Sequence, residues 1–215
     1  MPILKDLVRP MGGTEAALAE TIAAYDAEAD AYAVRFGSTD LSPYLDGLLG
    51  MLPSLDGGLV DLGCGPGRDL GQLSLRGVRA TGVDISTGML RAARGTASTA
   101  DLVCADLRAL PFADSVFAGG WACASLLHLN KEESLRALVE AHRVIRPSGA
   151  IFISLVSGSG DEWRVDRSGG MKWFQLYECD AVCELLASAG FAVAHAETIR
   201  GLSHGTWVNA YGVRQ

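Results

Sequence analysis

Apolar residues recur every three or four positions through the first part of the chain. Leu18, Ile22, Tyr25, Ala29, Tyr32 and Phe36 share one helical face in an Ala-rich stretch that Thr14 can cap, which predicts a helix over about 15–35. Ser42-Pro43 reads as a cap followed by proline at the first helical position, opening a second helix to about Met51. From Leu59 the period changes. Short apolar runs at Leu59–Leu62, Ala80–Val83, Leu102–Cys104, Val116–Trp121 and Ile151–Val156 read as buried strands. Helices are expected at about 68–76, 87–95, 131–145 and 179–189. The third of these opens on a capping-box pair, Asn130 and Glu133, and puts Leu135, Leu138, Val139 and His142 on one face. Gly190 stops the fourth, and Ala192–Thr198 and Thr206–Val213 read as closing strands. The polar, Gly-rich stretch Ser157–Gly170 reads as a long loop.

Strands alternating with helices of this length imply an α/β sandwich around a mostly parallel sheet of seven strands. One compact domain is expected, with residues 1–52 as a helical cap over a core at 53–215. Ligands in such folds sit at the carboxyl ends of the strands, where the strand order reverses. Composition narrows the partners. The formal charge is −7 with the signs mixed, so no broad basic face for nucleic acid is expected. The longest uncharged runs, Ser115–Asn130 and Pro147–Gly160, are too short and turn-rich to span a bilayer. The start of the chain shows no basic segment followed by an apolar run, so no signal peptide is expected. The five cysteines are scattered and odd in number, which suits free thiols in a reducing cytoplasm.

The most informative stretch is Leu59-Val60-Asp61-Leu62-Gly63-Cys64-Gly65-Pro66-Gly67-Arg68-Asp69. A buried strand ends in glycines at alternate positions and a helix follows, so a ligand can lie against bare backbone. A nicotinamide fingerprint would need Gly or Ala where Arg68 stands. Asp61, inside the strand, would repel a pyrophosphate but suits a cationic ligand. The next strand ends in Asp84, 17 residues after Gly67, where a carboxylate can accept both ribose hydroxyls or serve as a helix cap. Asp106 follows the third strand and can accept from an adenine amino group or shape a turn.

Asp61–Gly67, Gly82–Ser86, Ala105–Phe112 and Arg143–Gly149 together resemble the successive motifs of the class I S-adenosylmethionine (SAM)-dependent methyltransferases, over roughly residues 55–156. The resemblance implies a Rossmann-like three-layer sandwich with an N-terminal helical cap. It assigns the methionine moiety to Asp61 and the loop of Gly63, Cys64, Gly65 and Gly67. It assigns the ribose to Asp84, the adenine to Ile85, Asp106 and Leu107, the neighbourhood of the sulfonium to Cys123 or its neighbours, and a further cofactor contact to Met89. The strand-four exit, Trp121-Ala122-Cys123-Ala124-Ser125, differs from the Asn/Asp-Pro-Pro-Tyr/Phe of enzymes that methylate amino groups of bases or amide side chains. Tyr25-Asp26, Ala31-Tyr32 and Phe36 resemble the small-molecule branch, whose first helix covers the cofactor. Tyr25 and Tyr32 share a helical face and are expected to contact cofactor or to pack in the core.

The implied reaction is methyl transfer to O or N of a small-molecule acceptor, by a monomer or homodimer. Two alternatives are cyclisation of the aminobutyryl chain of SAM and a regulatory module that binds SAM without turnover. His128, after strand four, is the expected general base, or else a helix-start histidine bonded to backbone. His204 and Tyr177 are further candidate bases. Trp163, Trp173 and Tyr177, with Glu162, Arg164, Asp166 and Arg167 nearby, are expected to form an acceptor wall and lid or to cover the sheet edge. Cys179 and Cys183 stand one helical turn apart without a second pair, so no metal is expected. No G-x-S-x-G elbow is present, which argues against a hydrolase built on Ser125 and His128.

Overall fold

The computed structural model describes residues 11–97, 99–165, 170–200 and 205–215. His204, Asp166, Arg167 and the segment relevant to a signal peptide lie outside them. The helices are α1 (Glu15–Phe36), α2 (Ser42–Met51), α3 (Arg68–Leu75), α4 (Thr87–Thr96), α5 (Lys131–Val144) and α6 (Cys179–Ser188). The strands are β1 (Leu59–Leu62), β2 (Ala80–Asp84), β3 (Asp101–Cys104), β4 (Phe117–Cys123), β5 (Ile145–Val156), β6 (Asp161–Val165), β7 (Met171–Gln175), β8 (Phe191–Arg200) and β9 (Thr206–Arg214). Seven strands form one sheet in the order β3-β2-β1-β4-β5-β9-β8. The pairs from β3 to β5 are parallel, and β9 runs antiparallel to both β5 and β8.

The central strands are short and apolar because both faces are covered. All four residues of β1 are buried, as are six of the seven in β4. The strand order reverses between β1 and β4, so the loops leaving their carboxyl ends diverge and open a crevice. Trp121 of β4 fills the opposite side of the sheet, stacked on Phe152 with ring centroids 4.3 Å apart.

Local signals act as their chemistry requires. The Thr14 side chain accepts from the Ala17 N–H, and Asn130 and Glu133 close a reciprocal capping box. Three expectations are corrected. Leu41, not Ser42, is the N-cap of α2; the Ser42 N–H instead donates to Asp40 Oδ1, which leaves Pro43 in the first turn. Strand β5 starts at Ile145, directly after α5, rather than at Ile151. The stretch expected as loop contains β6, which pairs antiparallel with β7 in a separate two-stranded sheet.

That small sheet positions the first helix. The Trp173 N–H donates to Thr21 Oγ1 at 3.2 Å, and Lys172 Nζ of β7 lies 3.1 Å from Glu28 Oε2 of α1. On its other side α1 is clamped to α4. Asp26 Oδ1 accepts from Ser86 Oγ at 2.6 Å and from the Gly88 N–H at 2.7 Å. A carboxylate at a helix N-terminus meets donors without intrahelical partners and the positive end of the macrodipole. A Cβ at position 88 would lie 2.8 Å from the Asp26 backbone, so glycine is what permits this approach.

Candidate active site

The crevice at the carboxyl ends of β1 to β4 is roofed by α1. Leu18, Ile22, Tyr25, Tyr32 and Phe36 of the predicted apolar face line it, while Ala17, Thr21 and Ala29 are buried. The floor begins with the turn after β1. Gly63, Gly65 and Gly67 have φ of 79°, 52° and 83°, a region that side chains resist. A Cβ at Gly63 would collide with the Ser125 side chain, whereas one at Gly65 would meet nothing within 4 Å. Gly63 and Gly65 line the crevice with Cys64, and Gly67 stands behind them as the N-cap of α3.

Of the acids singled out from sequence, Asp84 and Asp106 line the crevice and Asp61 does not. Asp61 is buried beneath the turn, and its Oδ2 has no hydrogen-bond partner. Burial and then the repulsion of Asp69 hold its carboxyl well above the usual range, against the pull of Arg68. Asp84 accepts from the Gly65 N–H through Oδ2 and from the Ser86 N–H through Oδ1, both at 2.9 Å. Burial raises its carboxyl despite those bonds. Asp106 is gripped by Arg108, with Nη2 to Oδ2 at 2.6 Å. Burial pushes this carboxyl up, but the Arg108 bonds outweigh it and leave it below the ordinary range. Ile85, Met89 and Leu107 supply apolar lining between these acids, and Ile85 is 37% exposed.

At the β4 exit, Cys123, Ala124, Ser125 and His128 line the crevice. Burial pushes the Cys123 thiol up to about 12, against the attraction of Arg68, whose Nη2 lies 3.7 Å from the sulfur. Arg68 also lines the crevice, bound to both oxygens of Asp69 at 2.7 Å. His128 is 8% exposed and engaged on both sides, with Nδ1 2.7 Å from the Trp173 carbonyl oxygen and Nε2 2.8 Å from the Tyr25 hydroxyl.

Comparison with known proteins fits this geometry. Residues 60–153 match the family model described as "Methyltransferase domain". That match covers less than half of the chain. Among curated relatives, a malonyl-[acyl-carrier protein] O-methyltransferase of Pseudescherichia vulneris is 38% identical over 102 residues, covering 47% of this chain and 40% of that protein. The 27-O-demethylrifamycin SV methyltransferase of Amycolatopsis mediterranei is 30% identical over 179 residues, covering 77% of this chain and 65% of that protein. The chain spans about half the length of the first curated relatives it matches. The Burkholderia thailandensis 1,6-didemethyltoxoflavin-N1-methyltransferase, solved with 1,6-didemethyltoxoflavin and S-adenosylhomocysteine, superposes with a TM-score of 0.73 at 18% identity, covering 96% of this chain and 92% of that one.

The fold brings most of the residues singled out from sequence into this one crevice, although Asp61 and Gly67 are not among the residues that line it. Trp163, Trp173 and Tyr177 are not among its lining residues. Trp163 and Trp173 are register partners across β6 and β7. Trp173 is 2% exposed, and its Nε1 donates to Asp161 Oδ2 at 2.8 Å. Tyr177 is 1% exposed and donates to Ser134 Oγ at 2.9 Å. Cys179 and Cys183 are free thiols, and among the described residues no group of three or more His, Cys, Asp or Glu could hold a metal ion. Among the described residues no helix is long and apolar enough to cross a membrane.

Several residues that shape the crevice escaped the sequence reading. Asp26 caps a helix 62 positions away from its own, a pairing that no local spacing encodes. Arg108 joins Asp106, Glu15 of α1 and Glu133 of α5. Lys172, fully buried, sets its Nζ 4.2 Å from the Tyr25 ring centroid. The one available signal was Ser86-x-Gly88, a helix start whose glycine opens room for a second element.

Proposed function

We propose that this chain transfers a methyl group from SAM to an O or N atom of a small molecule. The carrying observation is the run of acids at successive strand ends, Asp61, Asp84 and Asp106, under an aromatic helix. The residues fit SAM chemically. A buried carboxylate oxygen without a partner, positive-φ glycines and an acid-rich lining suit a ligand carrying ammonium and sulfonium charges. Bound SAM supplies a methyl group already activated by a neutral thioether leaving group.

The chain's own residues then bind and orient. The Gly63–Gly67 turn and Asp61 hold the methionine moiety, and Arg68 stands ready for its carboxylate. Asp84 takes the ribose hydroxyls, Ile85 and Met89 the adenine faces, and Asp106 with Leu107 the adenine edge. Cys123 stands beside the sulfur. Tyr25, Tyr32 and the rest of α1 exclude water. His128 receives the proton of an acceptor that carries one. The acceptor side is formed by Leu18, Ile22 and Leu129, with Trp173 and Tyr177 supporting it from behind. The five free thiols favour a reducing, cytoplasmic setting, and the net charge of −7 disfavours nucleic acid, for a monomer or homodimer.

The test is to incubate the protein with methyl-labelled SAM and a panel of small hydroxy and amino compounds. Labelled product together with S-adenosylhomocysteine supports methyl transfer. Methylthioadenosine without labelled product instead identifies attack on the aminobutyryl chain.

A further inference from the structure

Arg68 and Asp69 are neighbours at the start of α3, yet they form a two-pronged pair. Nε donates to Asp69 Oδ1 and Nη2 to Asp69 Oδ2, both at 2.7 Å. Successive residues on a helix point away from each other, so helical spacing alone does not produce this pair. A third residue fixes it. The Trp121 Nε1–H donates to the same Asp69 Oδ2 at 2.8 Å. Trp121 is fully buried and stacked on Phe152, so its indole has little room to turn. Asp69, 6% exposed, is thus held between a locked aromatic on one strand and the arginine beside it.

The pairing occupies one edge of the guanidinium and leaves the other. Nη1 makes no hydrogen bond among the described residues, while the Arg68 side chain lines the crevice and keeps 20% of its surface exposed. A planar fork anchored through Nε and Nη2 presents Nη1 at a set position and direction. Nη2 lies 3.7 Å from Cys123 Sγ, which places this end of the crevice beside the β4 exit.

Asp61 gives that placement its meaning. Arg68 and Asp61 attract each other, but no hydrogen bond joins them, and Asp61 Oδ2 has no partner. Asp69 draws the guanidinium to itself and so keeps it from spending its donors on Asp61. An acceptor for an ammonium and a donor for a carboxylate therefore stay separate at one end of the crevice. That is the charge pattern of an α-amino acid group, reversed in sign.

Resting on the SAM reading, we infer that Asp69 and Trp121 are positioning residues that aim Arg68 Nη1 at the α-carboxylate of the ligand, and that this trio selects ligands carrying that carboxylate. Neither positioning residue touches the ligand in this scheme. Their effect is confined to the carboxylate and leaves recognition of the adenosine and the amine to other residues.

The experiment compares SAM with decarboxylated SAM, which keeps the adenosine, the sulfonium, the methyl group and the amine. Each is titrated calorimetrically into wild type, Arg68→Met, Asp69→Asn and Trp121→Phe, with circular dichroism confirming the fold. Wild type is expected to bind SAM at least about tenfold more tightly than the decarboxylated compound. Arg68→Met should lose this preference. Asp69→Asn and Trp121→Phe, which keep the arginine, should reduce it at least about threefold, while affinity for decarboxylated SAM changes less than about twofold. A merely structural role would weaken both ligands alike. If Asp69→Asn does not fold, Trp121→Phe decides the positioning role. Equal binding of the two compounds by wild type overturns the proposal, as does a full preference in Arg68→Met or in the folded positioning variants. So does equal weakening of both ligands in those variants. A wild type that binds neither compound overturns the SAM reading itself, and this inference with it.

Discussion

The Tyr25 hydroxyl lies 2.8 Å from His128 Nε2, so the roof helix is bonded to the exit of the fourth strand across 103 positions of sequence. The roof is thereby tied to the element that places the reacting end of the crevice. Replacing His128 by Ala removes one hydrogen bond from the Tyr25 hydroxyl and one from the Trp173 carbonyl, at a cost of about 1–3 kcal/mol of stability. Turnover with any acceptor that must lose a proton is expected to fall about a hundredfold or more. SAM affinity, measured separately by calorimetry, is expected to change little. Wild-type turnover at all pH values would remove His128 from the proton path.

Asp61 gives a pH-dependent prediction with a definite sign. Its carboxyl is raised mainly by burial and then by Asp69, so ionising it in the folded protein costs stability. The stability its proton confers is complete below the unfolded carboxylate range and is lost as pH rises through the raised folded value. Asp61→Asn is therefore expected to melt a few degrees higher than wild type at neutral pH, with the gap closing as pH falls towards about 4. The same change is expected to weaken SAM binding. Thermal melts across pH check the first part, and a gap that widens on acidification would contradict it.

The clamp between α1 and α4 should be open to mutation. Asp26→Ala removes the acceptor of the Ser86 hydroxyl and the Gly88 N–H, for an expected loss of about 1–2 kcal/mol. Gly88→Ala drives a methyl against the Asp26 backbone and should act in the same direction. Both variants are expected to show faster amide hydrogen exchange in residues 15–36 while the sheet stays protected. Protection of α1 equal to wild type would mean that β7 alone holds the roof.

How far the sequence could be read depended on where each partner lay. Strand β1, the Asn130–Glu133 box and the cleft-facing stripe of α1 are encoded within a few residues of themselves, so pattern and spacing were enough. The acids at the strand ends were legible because α/β topology brings all such ends to one side. The β6–β7 hairpin was not, because its strands are rich in charged residues and sit beside glycines. Lys172 reads as a solvated cation, yet it is wholly buried between Glu28 and the Tyr25 ring, partners from a helix more than 140 positions away. Trp173 and Tyr177 stand as large aromatics in or beside a polar stretch, but only the fold shows that they turn inward, away from the crevice lining.

Asp84 supplies the most direct measurement. Its two oxygens hold the Gly65 and Ser86 N–H groups and retain lone pairs for vicinal hydroxyls, each charge-assisted bond contributing ~1.5–3 kcal/mol. SAM is titrated calorimetrically into wild type, Asp84→Asn and Asp84→Ala, with circular dichroism confirming that all three are folded. Wild type should bind, and Asp84→Ala should bind at least about tenfold more weakly, with Asp84→Asn between them. SAM affinity unchanged in a folded Asp84→Ala protein, or no SAM binding by wild type, would contradict a SAM site at the ends of these strands.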